Sequence, residues 1–310
     1  MIAQRALVTG STGLVGRAVT ARLQALGVDV TGASRSPASA LAMKVDLTHA
    51  PAAAGILKRV VPGVVVHLAG SATGDRRELH RANVVTTRNL MQAVAQMEPP
   101  PAVIVAGSAA EYGDPVTERV AEDHPLRPLT EYGRAKAEQS TVVQQIAYGA
   151  GLRACIVRPF NIVSHDLPPT VALGNMRRQL MATTTQPRMV RCGRLDVIRD
   201  FIPLEFVVDT IVRLLELNEW PSVLNVCSGL GIQLGDLLDA MASQLGVEVE
   251  AEIDPRLAAI AAAPCVVGDP TRLGLLGLQS QLDAEQLAAL LVAPSRSPAA
   301  KVRVSPDPEM

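Results

Sequence analysis

Aromatic residues are scarce in this chain of 310 residues, in which Phe, Trp and Tyr together make up only 2%. A surface that stacks nucleobases, or a platform of aromatic rings that binds carbohydrate, is therefore not expected. An excess of either charge is also lacking, because 29 Lys and Arg balance 30 Asp and Glu and leave a formal net charge of −1. This balance gives no electrostatic reason to bind nucleic acid or an anionic membrane.

Cysteine is rare as well, and the four cysteines, Cys155, Cys192, Cys227 and Cys265, stand apart from one another. No CxxC pair or Cys/His cluster indicates a metal site or a redox dithiol, so we expect no bound metal. No apolar run reaches the ~20 residues that a membrane helix needs, and the N-terminus lacks the basic and apolar regions of a signal peptide. We therefore expect a cytoplasmic protein whose thiols are reduced and buried.

Apolar residues are abundant at 48%, and the chain is long enough for one large domain or two ordinary ones. Short apolar runs alternate with longer amphipathic stretches through the first half of the chain. This alternation predicts an α/β fold with a doubly wound parallel sheet of the Rossmann type. The predicted strands are 6–9, 28–32, 64–68, 103–106, 153–157 and 223–226, and the predicted helices are 15–25, 83–96, 131–148, 174–182, 207–217 and 234–245.

A glycine-rich turn follows the first predicted strand and opens the first helix, with the sequence Thr-Gly-Ser-Thr-Gly-Leu-Val-Gly at 9–16. Glycine allows a tight turn there, and it allows a pyrophosphate to approach the N–H groups at the start of the helix. The spacing is Gly-x-x-Gly-x-x-Gly, which differs from the Gly-x-Gly-x-x-Gly of ordinary dehydrogenases. The turn predicts a dinucleotide site that includes Gly10, Thr12, Gly13, Leu14 and Val15.

The end of the second predicted strand discriminates between NAD and NADP. An acidic residue there would hold the ribose 2′-hydroxyl of NAD, but Ser34 and Arg35 occupy the place. A hydroxyl and a guanidinium suit a 2′-phosphate, so we expect NADP, with NAD as the alternative and a solvated loop position as the other interpretation of Arg35. Asp46 and Leu47 follow at a place where a carboxylate could accept from the adenine amino group, although a surface aspartate in a turn fits equally well.

A second pattern carries groups for proton transfer. Tyr132 and Lys136 are four residues apart on a predicted helix and therefore share a face. A neighbouring ammonium is expected to lower the pKa of a phenol, although a solvated pair of this spacing is common. Ser108 follows an apolar strand, so its hydroxyl is expected at the carboxyl end of a parallel strand, where it could donate to a carbonyl oxygen while Tyr132 delivers the proton.

From about residue 6 to residue 278 the chain resembles the extended short-chain dehydrogenases/reductases. The resemblance rests on the glycine turn, on Asp-Leu at 46–47, His-Leu-Ala-Gly at 67–70, the Ser and Tyr/Lys residues above, and Arg-Pro-Phe-Asn at 158–161. It implies that Ser108, Tyr132 and Lys136 are the catalytic triad and that Lys136 also holds the nicotinamide ribose. The further cofactor contacts that it implies are Leu68, Ala69, Gly70, Asn83 and Pro159.

Within that family, three segments look most like GDP-4-keto-6-deoxymannose reductases and related 4-ketoreductases of nucleotide-linked deoxyhexoses. The segments are 107–113, 193–201 and 225–229 with 267–269. This likeness implies a nucleotide-sugar substrate with contacts from Ala109, Glu111, Asn161, Arg178 and Arg199. Arg199 could fork onto phosphate oxygens, and a structural salt bridge with Asp200 or a neighbouring residue is the alternative.

Absent residues narrow the implied chemistry. Related 4,6-dehydratases carry an Asp-Glu pair directly after the hydroxyl residue, and 3,5-epimerase/reductases carry a Cys two residues after it. Ala109 and Ala110 stand at these positions and cannot transfer a proton. The reaction that remains is hydride transfer at a carbonyl, as in a ketoreductase. The alternative is an NAD-dependent 4-epimerase, and a third hypothesis is a non-catalytic dinucleotide sensor.

The resemblance also implies how the chain is organised. Residues 1–163 are expected to form the Rossmann domain, to which 199–228 return. Residues 164–198 and 229–292 are expected to form the substrate-binding region, and 293–310, rich in Pro, Ser and Ala, a disordered tail. Many relatives dimerise through a four-helix bundle, and helices 83–96 and 131–148 are apolar enough on one face for a homodimer.

Overall fold

The computed structural model describes residues 3–36, 42–115, 118–182, 184–259 and 263–293, so most of the predicted tail lies outside the described residues. The strands are β1 (Arg5–Thr9), β2 (Asp29–Ser34), β3 (Ala42–Lys44), β4 (Val64–His67), β5 (Ala102–Ala106), β6 (Ala154–Pro159), β7 (Asn161–Val163), β8 (Arg188–Cys192), β9 (Ile198–Pro203), β10 (Val223–Val226), β11 (Gly231–Gln233), β12 (Val249–Ile253) and β13 (Cys265–Val266). The α-helices are α1 (Leu14–Ala25), α2 (Ala50–Val60), α3 (Arg76–His80), α4 (Thr86–Val94), α5 (Glu131–Gly149), α6 (Ala172–Ala182), α7 (Leu204–Glu216), α8 (Leu234–Leu245), α9 (Pro255–Ala258), α10 (Thr271–Leu275) and α11 (Ala284–Val292).

A seven-stranded sheet has the order β10-β6-β5-β4-β1-β2-β3. The pairs from β6 to β3 are parallel, and the strand order reverses at β1, which pairs with β2 on one side and β4 on the other. β4, with the sequence Val-Val-Val-His, is buried at every residue, as suits a strand covered on both faces. In sheets of this kind, ligands bind at the carboxyl ends of the strands beside the reversal. The predicted doubly wound α/β fold is confirmed.

Several helices begin where a side chain caps them. Thr130 starts α5, because its hydroxyl accepts a hydrogen bond from the N–H of Gly133 at 3.0 Å. Asp75 and Glu78 form a capping box that starts α3. The helix predicted at 83–96 therefore begins earlier, and a π-helical turn at Arg81–Val85 joins α3 to α4. β3, α2, β8 and β12 are among the elements that the patterns did not predict.

The chain divides into two compact units. The first unit contains the residues up to Gly113, Pro125–Pro159 and Val207–Leu224, and the second contains Asp114–His124, Phe160–Phe206 and the residues from Asn225 onward. The predicted boundaries differ from this division, because β9 was expected to return to the Rossmann domain. β9 instead pairs with β7, β11 and β13, all of which belong to the second unit.

β9 is the central strand of the second unit. Asp200 in β9 accepts hydrogen bonds from the N–H and the hydroxyl of Ser228, at 2.8 and 2.7 Å, and from the N–H of Gly229 at 2.9 Å. β8 and β12 form a separate parallel pair, and α11 packs against α8. Within the described ranges of the whole chain, no helix is long and apolar enough to cross a membrane.

Candidate active site

A cleft of about 270 Å³ in the first unit lies at the carboxyl ends of β1, β2 and β4. Its position beside the reversal of the strand order is where this architecture binds ligands. Most of the predicted cofactor residues line it: Gly10, Thr12, Gly13, Ser34, Arg35, Leu47, Leu68, Ala69 and Gly70. The glycine turn, the end of β2 and the loop after β4 thus meet at one cavity.

The glycine turn is packed so closely that side chains would not fit. Gly10 has a φ of 69°, and a Cβ on it would lie 2.6 Å from the backbone nitrogen of Ala69. A Cβ on Gly16 would lie 2.1 Å from the carbonyl oxygen of Gly10. Gly13 caps α1 without any side-chain hydrogen bond, so the first N–H groups of the helix receive no side-chain acceptor there. These features fit the pyrophosphate of a dinucleotide.

The opposite wall of the cleft carries the residues predicted to select NADP. The hydroxyls of Thr12 and Ser34 lie 2.9 Å apart, and Ser34 also accepts from the N–H of Ser36 at 3.2 Å. Arg35 is exposed and lines the cleft. The wall therefore offers hydroxyls and a guanidinium within one small region, which fits a phosphate.

Five predicted cofactor residues are not part of the lining: Leu14, Val15, Asp46, Asn83 and Pro159. Asp46 accepts a hydrogen bond from the N–H of Thr48 at 3.0 Å. Asn83 is fully buried, and its amide nitrogen donates to the carbonyl oxygens of Ser71 at 2.9 Å and Leu79 at 2.8 Å. Asn83 therefore supports the loop after β4 from behind.

Sequence reasoning missed several lining residues: Ala33, Ser36, Val45, Ala82 and Thr86. The last two are four residues apart in the helical stretch before and within α4, so they share a face. An alanine and a threonine four residues apart only weakly indicate a cofactor site, because most such pairs lie on ordinary helix surfaces.

Ser108 lies in the turn directly after β5. Its hydroxyl accepts a hydrogen bond from the N–H of Ala110 at 3.2 Å, and its own N–H donates to Oε1 of Glu111 at 2.8 Å. These two bonds form a capping box around the 3₁₀ turn Ala109–Glu111. The turn fixes the position of the hydroxyl at the carboxyl end of a parallel strand, as the sequence predicted.

Tyr132, near the start of α5, forms a side-chain hydrogen bond with Ser108. Burial raises the pKa of the phenol, the charge of Glu111 raises it further, and the hydrogen bond with Ser108 opposes both. From the sequence we expected Lys136 to lower the pKa of Tyr132. The pKa is raised instead, because burial outweighs the contribution that lowers it. The phenol is therefore held in its protonated form, ready to donate.

Lys136 is buried one helical turn after Tyr132. Its ammonium group donates to the carbonyl oxygen of Ala106 at 2.7 Å and to Oε1 of Gln139 at 2.9 Å. Burial lowers the pKa of Lys136 to about 8, although the charge of Glu111 partly offsets this. These two bonds use two of its three hydrogens, which leaves one for a ligand hydroxyl.

A chain of neutral hydrogen bonds continues behind Lys136. The amide nitrogen of Gln139 donates to the Thr87 hydroxyl at 3.0 Å, and Thr87 donates to the Asn83 carbonyl at 2.6 Å. Since the Thr87 proton is used, Nε2 of His67, 2.9 Å away, is the donor to Thr87. Nδ1 of His67 then accepts from the Thr9 hydroxyl at 2.7 Å. Burial and the charge of Lys136 lower the pKa of His67 to about 3, so its imidazole is neutral.

The predicted substrate residues lie in both units. Ala109 adjoins Ser108, whereas Glu111 is fully buried and paired with Arg158 at 2.9 Å. In the second unit, Arg199 donates to the carbonyl oxygens of Ile198 at 2.8 Å and Ala263 at 2.7 Å. These acceptors take the place of the Asp200 salt bridge that was the alternative.

The other two predicted substrate residues also lie in the second unit. The amide nitrogen of Asn161 donates to the carbonyl oxygen of Asp200 at 2.9 Å. Arg178 is exposed and donates to Oδ1 of Asn175 at 3.0 Å. The four cysteines are free thiols, and none of the described His, Cys, Asp and Glu side chains gather into a group of three that could hold a metal ion.

Comparison with known proteins gives consistent results. Residues 6–227 match the model of the NAD dependent epimerase/dehydratase family. The chain is 29% identical to dTDP-6-deoxy-L-talose 4-dehydrogenase (NAD(P)(+)) of Kitasatospora kifunensis, over 79% of this chain and 80% of that protein. It is also 29% identical to GDP-6-deoxy-D-mannose reductase of Pseudomonas aeruginosa, over 81% and 84%. The structure of RMD from Pseudomonas aeruginosa complexed with NADPH superposes with a TM-score of 0.79 at 26% identity, over 94% of this chain and 96% of that one.

Proposed function

Because the chain belongs to the NAD dependent epimerase/dehydratase family, we propose that it is an NADP-dependent ketoreductase of a nucleotide-diphosphate 4-keto-6-deoxysugar. Membership confirms the resemblance found in the motifs, and it makes the protein an NAD(P)-dependent enzyme. The observation that carries the finer proposal is the placement of the Ser108 hydroxyl beside the phenol of Tyr132, with Lys136 one turn away on the same helix. Ala109 and Ala110 stand beside this pair and offer no second group for proton transfer.

The proposed chemistry uses one acid and one hydrogen-bond donor. When bound in the cleft, NADPH would supply the hydride that reduces the keto carbon. Tyr132 donates its phenolic proton to the oxygen that develops negative charge. Ser108 donates a hydrogen bond to the same oxygen. Lys136 holds a cofactor hydroxyl with its remaining hydrogen and keeps a positive charge beside the reacting groups.

NADP is proposed as the cofactor on the strength of Ser34 and Arg35 at the cleft. We expect Arg35→Ala to raise the KM for NADPH about tenfold and to leave the KM for NADH unchanged, because only NADPH carries the 2′-phosphate. Arg59→Ala, at an exposed position of α2 that does not line the cleft, is the control. Equal changes in the two KM values for Arg35→Ala would contradict the assignment.

Both relatives named above act on deoxysugars linked to a nucleotide diphosphate, as their names state, and this supports the proposed substrate class. For this chain we propose Asn161, Arg178 and Arg199 as contacts of that substrate, with the guanidinium groups suited to phosphate oxygens. The chain is further proposed to act in the cytoplasm, where its free cysteines stay reduced, and as a homodimer.

The test is turnover of NADPH with a panel of GDP-, dTDP- and UDP-linked 4-keto-6-deoxysugars, followed at 340 nm. We expect oxidation of NADPH with at least one of them, and a loss of about 10²–10⁴ in kcat for Tyr132→Phe, because the phenolic proton is removed. Tyr148→Phe is the matched control, since Tyr148 is 94% exposed. Absence of NADPH oxidation across the panel, or full activity of Tyr132→Phe, would contradict the proposal.

A further inference from the structure

Glu111 connects three elements of the first unit. Its Oε1 accepts from the N–H of Ser108 at 2.8 Å, and its Oε2 accepts from the hydroxyl of Ser140 at 2.7 Å and from Nε of Arg158 at 2.9 Å. These partners lie on the turn after β5, on α5 and on β6. One carboxylate therefore joins the turn that carries the proposed hydrogen-bond donor to the helix that carries the proposed acid.

The surroundings of Glu111 indicate a fixed position. The side chain is fully buried, and the three contacts above all come from donors, which is the pattern of an ionised carboxylate. Arg158, only 2% exposed, also donates to the hydroxyl of Tyr112 at 2.9 Å and stacks over its ring. Burying an ion pair carries a desolvation penalty that apolar side chains of similar volume would avoid, so its contribution is better explained by position than by stability.

Close backbone packing transmits the position of Glu111 to the site. A Cβ on Gly107 would lie 2.6 Å from Oε1 of Glu111, so glycine leaves room for the carboxylate beneath the turn. A Cβ on Gly133 would lie 2.4 Å from the carbonyl oxygen of Ala110, so α5 packs directly on the backbone of the turn. With no side chain between the two elements, a shift of Glu111 would move the turn against the helix.

We infer that Glu111 is a positioning residue, which holds Ser108 at hydrogen-bonding distance from Tyr132, and is not a contact of the sugar. The inference rests on the proposed function, since it concerns the two groups proposed to act on the carbonyl oxygen. It assigns Glu111 a different role from the substrate contact that the family likeness implied.

The test compares Glu111→Gln and Ser140→Ala with Glu131→Gln, each made in the parent chain and in a Ser108→Ala background. Ser140→Ala removes one hydrogen bond to Glu111 and keeps the buried ion pair of Glu111 with Arg158. It therefore tests the same inference if Glu111→Gln does not fold. Glu131 is an exposed carboxylate directly before Tyr132, which makes it the control for loss of charge. The readouts are kcat, KM for the sugar and the Kd for NADPH.

We expect Glu111→Gln to lower kcat about tenfold to a hundredfold and Ser140→Ala to lower it less, with the KM and Kd unchanged, because small displacements of reacting groups have effects of this size. In the Ser108→Ala background, Ser140→Ala should not lower kcat further by more than about twofold, because it keeps the charge of Glu111. Equal fold-losses in both backgrounds would overturn the inference, and so would a loss expressed only in the KM for the sugar.

A substrate-free measurement separates this inference from the proposed function. The chain has three tyrosines, so a sample labelled with ¹³C at the tyrosine Cζ gives few resonances, and Tyr132→Phe assigns the one needed. Ser140→Ala, which keeps the charge of Glu111, should shift the Tyr132 resonance in the parent chain and leave it unchanged in the Ser108→Ala background. If no keto-sugar is reduced, the proposed function fails while this result still decides the role of Glu111. A resonance insensitive to Ser140→Ala, or shifted equally in both backgrounds, would overturn the inference alone.

Discussion

Two buried polar networks lie behind the proposed catalytic groups, and they differ in charge. The network under Ser108 is an ion pair, in which Glu111 and Arg158 are 0% and 2% exposed. The network under Lys136 is neutral and runs through Gln139 and Thr87 to the uncharged imidazole of His67. Both networks fix a proposed catalytic side chain from behind, but only the network under Ser108 places a charged group beside it.

The difference teaches how position and charge are divided in this site. Burial has the largest influence on the pKa of Tyr132 and of Lys136. The negative charge of Glu111 raises both pKa values and so favours the protonated form of each group. The hydrogen bonds from Gln139 back to His67 orient Lys136 without adding charge. The charged network should therefore dominate stability when it is broken, and the neutral one should dominate the pH dependence of folding.

The largest effect should come from breaking the charged network. Arg158→Met leaves the buried carboxylate of Glu111 without its counter-charge, so we expect a loss of about 3–5 kcal/mol in the free energy of unfolding in urea. Arg134→Met breaks the exposed pair with Glu131, 2.6 Å apart, and should cost less than about 1 kcal/mol. Similar losses for the two variants would mean that burial does not distinguish these ion pairs.

Breaking the neutral network near Lys136 should have a smaller effect, which we expect on kcat rather than on the free energy of unfolding. Gln139→Leu removes the acceptor that orients the ammonium group, so we expect kcat to fall about tenfold, or about 1.4 kcal/mol in barrier height. Gln145→Leu, an exposed change on the same helix, should leave kcat unaltered. An unaltered kcat in Gln139→Leu would show that Lys136 is positioned by its other contacts.

The smallest effect concerns pH and His67. Its pKa is about 3 in the folded protein and 6.5 in the unfolded chain, so between these values the unfolded chain binds a proton that the native protein does not. Stability should therefore fall as pH falls below 6.5, by about 1 kcal/mol per pH unit from this group. In His67→Gln, urea unfolding between pH 6.5 and 5 should show a slope smaller by that amount. A parent-like slope in His67→Gln would contradict the assignment.

Most of the first unit could be predicted from local pattern. Continuous apolar runs such as β4 are typical of buried parallel strands, and the glycine turn needs no tertiary information to be recognised. The order of the sheet and the placing of Ser34 and Arg35 at the cleft then follow from the architecture. The helix at 83–96 was placed too late, because the capping box of Asp75 and Glu78 lies outside its apolar repeat.

The roles of buried polar side chains could not be predicted in the same way. Glu111 and Asn83 have the residue types of ligand contacts, and nothing in the sequence indicates that each is fully buried. The pKa of Tyr132 was expected to fall because its neighbour four residues on is cationic, yet burial dominates. Burial is set by distant segments that pack together, and a single sequence does not display them.

The central claim is that net hydride transfer from NADPH reduces a keto carbon of a nucleotide sugar. The most direct test uses NADPH deuterated at the transferred C4 position and mass spectrometry of the sugar product. The account predicts one deuterium per product, bound to the carbon that carried the keto group, with one NADPH oxidised for each sugar reduced. An unlabelled product that differs from its substrate only in configuration, with no net consumption of NADPH, would contradict it and identify a 4-epimerase.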